Sequence, residues 1–190
     1  MGNTCVIGLQ WGDEGKGKII DILAKDYDVI ARYQGGGNAG HTLIIGDEKF
    51  VFHLIPSGIL HKDKKCVIGN GIVFDPKLFL KEIKGLADKN INVTENLFIS
   101  DRAHVVFPYH KKLDLLQEKQ KGNSMIGTTG RGIGPCYTDK ISREGIRIAD
   151  LMDKEHFKEK LKRNVDEKNR IFVNLYKDEP DSWEDIYEEY

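Results

Sequence analysis

Two short apolar runs each lead straight into a glycine-rich loop, and that pairing constrains the fold more than any other feature. Residues 4–10 (TCVIGLQ) precede the loop WGDEGKGK at 11–18, and residues 28–34 (DVIARYQ) precede GGGNAGHT at 35–42. Between the loops, Ile19, Ile22, Leu23 and Tyr27 recur at helical spacing. Strand, glycine loop, helix, strand and a second glycine loop predict an α/β fold on a mostly parallel sheet with flanking helices. In such folds each loop lies at a strand's carboxyl end, where ligands bind.

The rest of the chain fits that frame. Residues 42–56 alternate as a small hairpin turning at 46–48. Asp75 is placed to cap a helix over 75–90, with Pro76 in its first position and Leu78, Phe79, Ile83 and Leu86 on one face. Residues 96–100 read as a strand and 109–122 as a helix closed by Gly122. Residues 123–145, rich in glycine, read as one long connection of the kind that is either functional or disordered. A charged helix capped by Asp153 follows over 153–176, its Lys/Glu run at 153–170 predicted to be a solvated face. The acidic end, 177–190, reads as a surface helix or a frayed tail. A length of 190 residues suits one domain. A sheet opening with two such loops needs more strands than these, so an amino-terminal portion is expected.

Composition excludes several classes. Hydrophobic residues make up 39% and charged residues 31%, as in a soluble globular protein. With a net charge of −1 and pI near 6.6, nothing marks a nucleic-acid or membrane binder. Cys5, Cys66 and Cys136 are odd in number and far apart, which predicts free thiols in a reducing compartment. No signal peptide and no apolar run near 18 residues is evident, so a cytoplasmic location is expected.

The first loop raises a problem of charge. Gly12 to Lys18 has the phosphate-loop spacing G-x-x-x-x-G-K, whose glycines turn backbone N–H groups toward oxyanions at a helix's positive end. That motif continues with a Ser or Thr that ligates Mg²⁺, and here Ile19 stands in its place. Asp13, inside the loop, would repel phosphate unless it held a metal, took a substrate proton, or did both.

The strings QWGDEGKGK (10–18), RYQGGGNAGHT (32–42), HLIPSGIL (53–60), GNGIVFDP (69–76) and IGTTGRGIGPCYTDK (126–140) together resemble the adenylosuccinate synthetase family. The resemblance implies a GTP-dependent ligase of purine biosynthesis that joins IMP to L-aspartate through 6-phosphoryl-IMP. Its fold is P-loop-NTPase-like and more than twice this length, making residues 1–190 the amino-terminal portion of a single domain. By resemblance Asp13 is the base that takes the N1 proton of IMP and also a ligand of Mg²⁺, and His41 is the general acid at the β–γ bridge. Gly12, Asp13, Glu14, Gly15, Lys16, Gly17, Lys18, Gly40, His41 and Thr42 would meet GTP, with the Gly40 carbonyl also on Mg²⁺. Asp13, Glu14, Gly15, Lys16, Asn38, Ala39, Gly40, His41 and Thr129 would meet IMP. Arg143 would reach the IMP phosphate of a neighbouring subunit, implying a homodimer.

Some readings stay open at this level. Asp21 either orients His41 or serves the helix dipole. Paired threonines and Arg131 make residues 127–135 a second phosphate candidate. His53, His61, His104, His110 and His156 have no metal-ligand spacing and are assigned to surfaces or to packing. Trp11 is expected to pack under its loop, and Gly37, where many relatives carry a side chain, to make the second loop more flexible. Two competing functions remain: a non-catalytic IMP/GTP-binding module, and a P-loop NTPase of another type, which Ile19 disfavours.

Overall fold

A computed structural model describes residues 2–10, 14–45, 48–122 and 127–190, excepting the side chains of 44 and 45. Asp13, with Trp11 and Gly12, therefore lies outside the described residues, as does the hairpin turn at 46 and 47.

Three parallel strands form the main sheet in the order β1 (Val29–Arg32), β4 (Lys65–Ile68), β6 (Leu97–Ile99). The register pairs Val29 with Lys65, Ile30 with Cys66, and Cys66 with Leu97. Between β1 and β4 the chain makes the antiparallel hairpin β2 (His41–Ile45) and β3 (Glu48–Phe52), with His41 opposite Phe52. A second parallel pair joins β5 (Val73–Phe74) to β7 (His104–Val105). Helix α1 (Lys16–Leu23) precedes β1, and α2 (Pro76–Ala87) crosses over from the first parallel pair toward β6.

Local signals explain α2. The Asp75 carboxylate accepts the N–H of Leu78 at 3.3 Å and Pro76 occupies the first turn, so the donors left unpaired at a helix start are reduced from both directions. Leu86, with Phe79 and Ile83, then packs on a core of Ile30, Phe50, Phe52, Ile55 and Cys66. A second core collects β7 and the helices α3 (Pro108–Lys121), α5 (Lys154–Ile171) and α6 (Trp183–Glu189) around Phe107, Tyr109, Phe157, Leu161 and Phe172. The expected cap of α5 is present, Asp153 accepting the N–H of His156 at 3.1 Å.

Four expectations are corrected. Residues 2–10 form no strand and pair with no described strand, although β1 leaves an open edge; Ile7 and Leu9 are 60% and 85% exposed. The 123–145 connection contains a helix, α4 (Ile133–Ser142), which starts after Gly132 in the left-handed region and buries Pro135, Cys136 and Asp139. Its glycines sit at the helix boundary and on its exposed side, so composition suggested a loop where packing makes a helix. The 153–170 run is not wholly solvated: Lys168 is buried, its ammonium 2.7 Å from Asp139. Gly37 is also buried, with Leu78 packed where a side chain would stand, rather than an added point of freedom.

The acidic end carries α6, anchored by buried Ile186. Cys66 and Cys136 are buried and Cys5 is exposed, all as free thiols. No described helix is long and apolar enough to cross a membrane.

Candidate active site

Helix α1 begins directly after the first glycine loop. Gly15 takes φ 78°, a left-handed turn that redirects the chain into the helix, and no described side chain caps the free N–H groups behind it. Those donors and the helix dipole leave a positive end facing the loop. Glu14 is already engaged: its carboxylate accepts the N–H of Gln10 at 2.9 Å and is hydrogen-bonded to the Lys16 ammonium. Lys16 and the backbone donors hold that carboxyl down at about 2. Lys16 thus has an internal anion as its partner, whereas Lys18 is exposed and makes no ion pair among the described residues.

The second glycine loop comes closest to this helix at Gly17 and His41. A Cβ at Gly17 would lie 2.6 Å from the Cβ of His41, so the first turn of α1 and the start of β2 meet at a distance only glycine allows. The His41 ring tilts on Phe52 with centroids 5.8 Å apart, and its Nε2 is buried without a hydrogen-bond partner among the described residues. Burial, with Arg32 and His53 nearby, pushes His41 down to about 4, Asp21 acting in the opposite direction. His41 is accordingly a neutral imidazole at pH 7.

Asp21 keeps both of its open readings and adds a third partner. It is close enough to His41 to oppose the lowering, and its Oδ1 stands 3.4 Å from Nε2 of His61.

Asn38, Ala39 and Gly40 line the exposed crest of the loop, and Thr42 is exposed on β2 beside His41. The loop's base is tied to α4. The Tyr137 hydroxyl accepts the N–H of Gly35 at 2.8 Å and lies 3.1 and 2.8 Å from the carbonyl oxygens of Gly35 and Gly71. Arg131 extends to within 4.0 Å of where Gly37 would carry a Cβ. The loop holding Thr129 is fixed from α3, where Asp114 accepts the N–H of Gly132 at 2.9 Å and Glu118 that of Gly127 at 2.5 Å. Thr129 itself is exposed. The 127–132 segment and the second glycine loop therefore share one rim.

Arg143 is not part of that rim. It closes the opposite end of α4, ten residues and about 15 Å of helix from Ile133, exposed and in the left-handed region at φ 69°. The histidines assigned to packing divide: His156 is exposed, while His110 is fully buried with Nδ1 accepting the N–H of Phe107 at 2.9 Å and Nε2 donating to Asp139 at 3.1 Å. Sequence reading missed Arg32 and Tyr137, which bond the loop at Gly36 and Gly35, the latter from 102 residues away, and Glu82, which accepts the N–H of His53. A buried tyrosine or arginine signals nothing by spacing.

The chain matches the family model described as adenylosuccinate synthetase over residues 5–190. It is 57% identical over 190 residues to the adenylosuccinate synthetase of Exiguobacterium sibiricum and 54% identical over 191 residues to that of Geobacter sulfurreducens, covering all of this chain and 44% of each relative. Among solved structures, it matches fully ligated adenylosuccinate synthetase from Plasmodium falciparum with a TM-score of 0.82 at 41% identity, over 95% of this chain and 42% of that one. A cyanophage S-2L succinoaminodeoxyadenylate synthetase bound to dGMP and dATP matches with a TM-score of 0.56 at 29% identity, over 70% and 36%. The chain thus spans less than half the length of these relatives.

Proposed function

Because the chain belongs to the adenylosuccinate synthetase family, we propose that it carries the nucleotide-activating portion of a GTP-dependent ligase that joins IMP to L-aspartate. The products are adenylosuccinate, GDP and phosphate. In this reading residues 1–190 are the amino-terminal portion of one domain in a cytoplasmic homodimer.

The observation that carries the reading is the unpartnered, buried Nε2 of His41, packed against the first turn of the phosphate-loop helix. Buried polar atoms normally have partners, and an orphan at the mouth of an anion-binding helix end is suited to a phosphate oxygen. Asp13 takes the N1 proton of IMP, and electron density moves to O6, which attacks the γ-phosphorus of GTP. The β–γ bridging oxygen leaves with GDP. The neutral His41 donates a hydrogen bond to that oxygen as charge builds on it. A polyphosphate held against the ring raises its proton affinity, offsetting the burial that keeps it neutral in the empty protein. The aspartate amine then displaces phosphate from C6. Lys18 is poised for the phosphoryl oxygens, and Lys16 joins it by exchanging Glu14 for substrate.

No three His, Cys, Asp or Glu side chains converge on a metal site among the described residues. Mg²⁺ takes one or two protein oxygens and fills its shell with phosphate oxygens and water. We assign it to the Asp13 carboxylate and the Gly40 carbonyl; bound there it would neutralise charge on the phosphates. Asn38, Ala39 and Thr129 face IMP from the shared rim. Arg143, at the far end of α4, would reach a neighbouring subunit's IMP rather than its own.

The alternative reading is an IMP/GTP-binding unit without turnover. Phosphate release from GTP decides between them, measured with this chain and with a version extended along its gene. IMP, aspartate and Mg²⁺ are omitted in turn, and Asp13→Asn runs alongside. Release that requires every component and disappears in the variant supports the ligase. Nucleotide binding with no release from either version leaves the binding unit.

A further inference from the structure

We propose that Arg32 and Glu82 are positioning residues for the second glycine loop, acting on it through His53. None of the three is among the residues assigned to GTP, IMP or metal.

Glu82, on α2, is buried, and its carboxylate accepts the backbone N–H groups of three successive residues: His53 at 2.7 Å, Leu54 at 3.2 Å to each oxygen, and Ile55 at 3.1 Å. Three consecutive amides turned toward one point make an anion-binding concavity, here filled by the protein's own carboxylate. Hydrogen bonds to an ionised acceptor are stronger than neutral ones, and a low-dielectric surround strengthens them further. The segment leaving β3 is therefore fixed to α2 more firmly than an ordinary connection would be.

Arg32, the last residue of β1, holds His53 from the other side. Its Nη1 donates to the His53 carbonyl and its Nη2 to the Gly36 carbonyl at 2.7 Å. One planar guanidinium thus sets the spacing between the start of the glycine loop and the end of the hairpin. Between these two charges the His53 ring has little freedom: Nδ1 lies 3.3 Å from Glu82, and Nε2 is pressed against Gly40, where a Cβ would stand only 2.9 Å away. Arg32 therefore determines where the loop begins and His53 where it ends. Gly40 and His41 follow immediately. A role confined to capping residues 53–55 would need neither the Gly36 contact nor the His53–Gly40 approach.

The functional meaning rests on the proposed nucleotide site, but the geometry can be tested without nucleotide. Glu82→Gln keeps the shape and leaves one carbonyl oxygen for three amides. In the 190-residue chain, the expected result is that backbone amide chemical shifts change at 53–55 and also at Gly36 and 40–42, while Cys66, Val67 and Ile68 of β4 hold still. Shifts confined to 53–55 overturn the proposal. Arg32→Lys, which keeps the charge and loses the two-pronged contact, gives the same test should Glu82→Gln fail to fold: it is expected to move Gly36 and 40–42 together, and movement of Gly36 alone counts against transmission through His53. For the functional arm, GTP affinity in the presence of Mg²⁺ is measured on each folded variant. About a tenfold loss, equivalent to one hydrogen bond's geometry, is expected when each variant is measured well below its own melting temperature; unchanged affinity despite a shifted loop refutes positioning of the site. If the unaltered chain binds neither GTP nor IMP, the proposed function falls, while the shift pattern still decides whether the loop is set through His53.

Discussion

Helices α1 and α5 invert what their sequences suggest. α1 reads KGKIIDIL and looks like a helix with an apolar face, yet none of its residues is buried; Ile19 and Ile22 are 48% and 56% exposed. α5 reads KEHFKEKLKRNVDEKNRI and looks like a solvated rod, yet it buries Phe157, Leu161, Asn164, Val165 and Lys168. Those five fall at steps of four, three, one and three residues, a narrow stripe along a long helix. The difference lies in what each helix meets. α5 is enclosed by α3, α4 and α6, so a few apolar positions suffice and even an ammonium is taken inside, provided Asp139 waits for it. α1 meets the hairpin and the 3₁₀ turn Ser57–Leu60, packs Ile20 at the margin of the first core, and presents its start to the glycine loops. The site-bearing helix is therefore held at the margin of a core and by the close Gly17–His41 approach, whereas the helical side is held by burial within a core.

The largest effect expected from breaking this contrast is at Asp139. Asp139→Ala leaves the Lys168 ammonium and the His110 N–H buried without their acceptor, and removal of one partner from a buried pair costs about 3–5 kcal/mol. Urea unfolding measures it; a loss below about 1 kcal/mol means that the helical side does not depend on this network.

The next effect is pH-dependent. Burial, with Lys140, Arg147 and Lys160 close by, pushes His104 down to about 4 against an ordinary 6.5. The unfolded chain then binds the proton more tightly than the folded one. His104's contribution is complete above pH 6.5 and is lost as pH falls from there toward 4, amounting to about 3 kcal/mol at most. His110, lowered by burial, and Asp139, lowered by His110 and Lys168 against the cost of burial, act in the same direction. Unfolding curves between pH 7.5 and 4 should lose stability steadily, and His104→Gln should flatten that slope. A profile that His104→Gln leaves unchanged removes His104 as its source.

Gly17→Ala tests the close approach of α1 to β2. The added methyl meets the His41 Cβ at 2.6 Å, so α1 and β2 must separate, at about 1–3 kcal/mol for an overpacked contact. The same variant should weaken GTP binding, because the orphan Nε2 moves with its strand. Full affinity in Gly17→Ala would show that the two loops need not touch.

The smallest effect is expected at Ile22→Gln, within about 0.5 kcal/mol of the unaltered chain, as for an ordinary exposed position. A cost comparable to a core substitution would mean that α1 is packed in solution, and would erase the difference between the two helices.

Much of the candidate site was legible in residues 10–42, since glycine loops after apolar runs announce an anion site through purely local chemistry. Helix α2 was legible for the same reason: its cap, its proline and its apolar face all lie within one short stretch. The run at 4–10 has the composition of a strand yet pairs with no described strand, and composition cannot say whether an open edge such as that of β1 will be taken. Helix α4 was hidden by its glycines and proline. What forms it is Asp139 held by His110 and Lys168, and Tyr137 bonded to Gly35 across 102 residues.

The sequence by itself determined where helices could start, which loops could turn N–H groups toward phosphate, and that Ile19 leaves no hydroxyl for a metal. These outcomes depend on hydrogen bonds and torsions within about four residues, which spacing records. Only the tertiary structure decided that α1 would stay exposed, that Lys168 would go inside, that Arg143 would stand apart from the loops, and that Arg32 and Glu82 would grip His53 from either side. Burial and charge pairing depend on which distant segments arrive at the same place, and no local pattern carries that information.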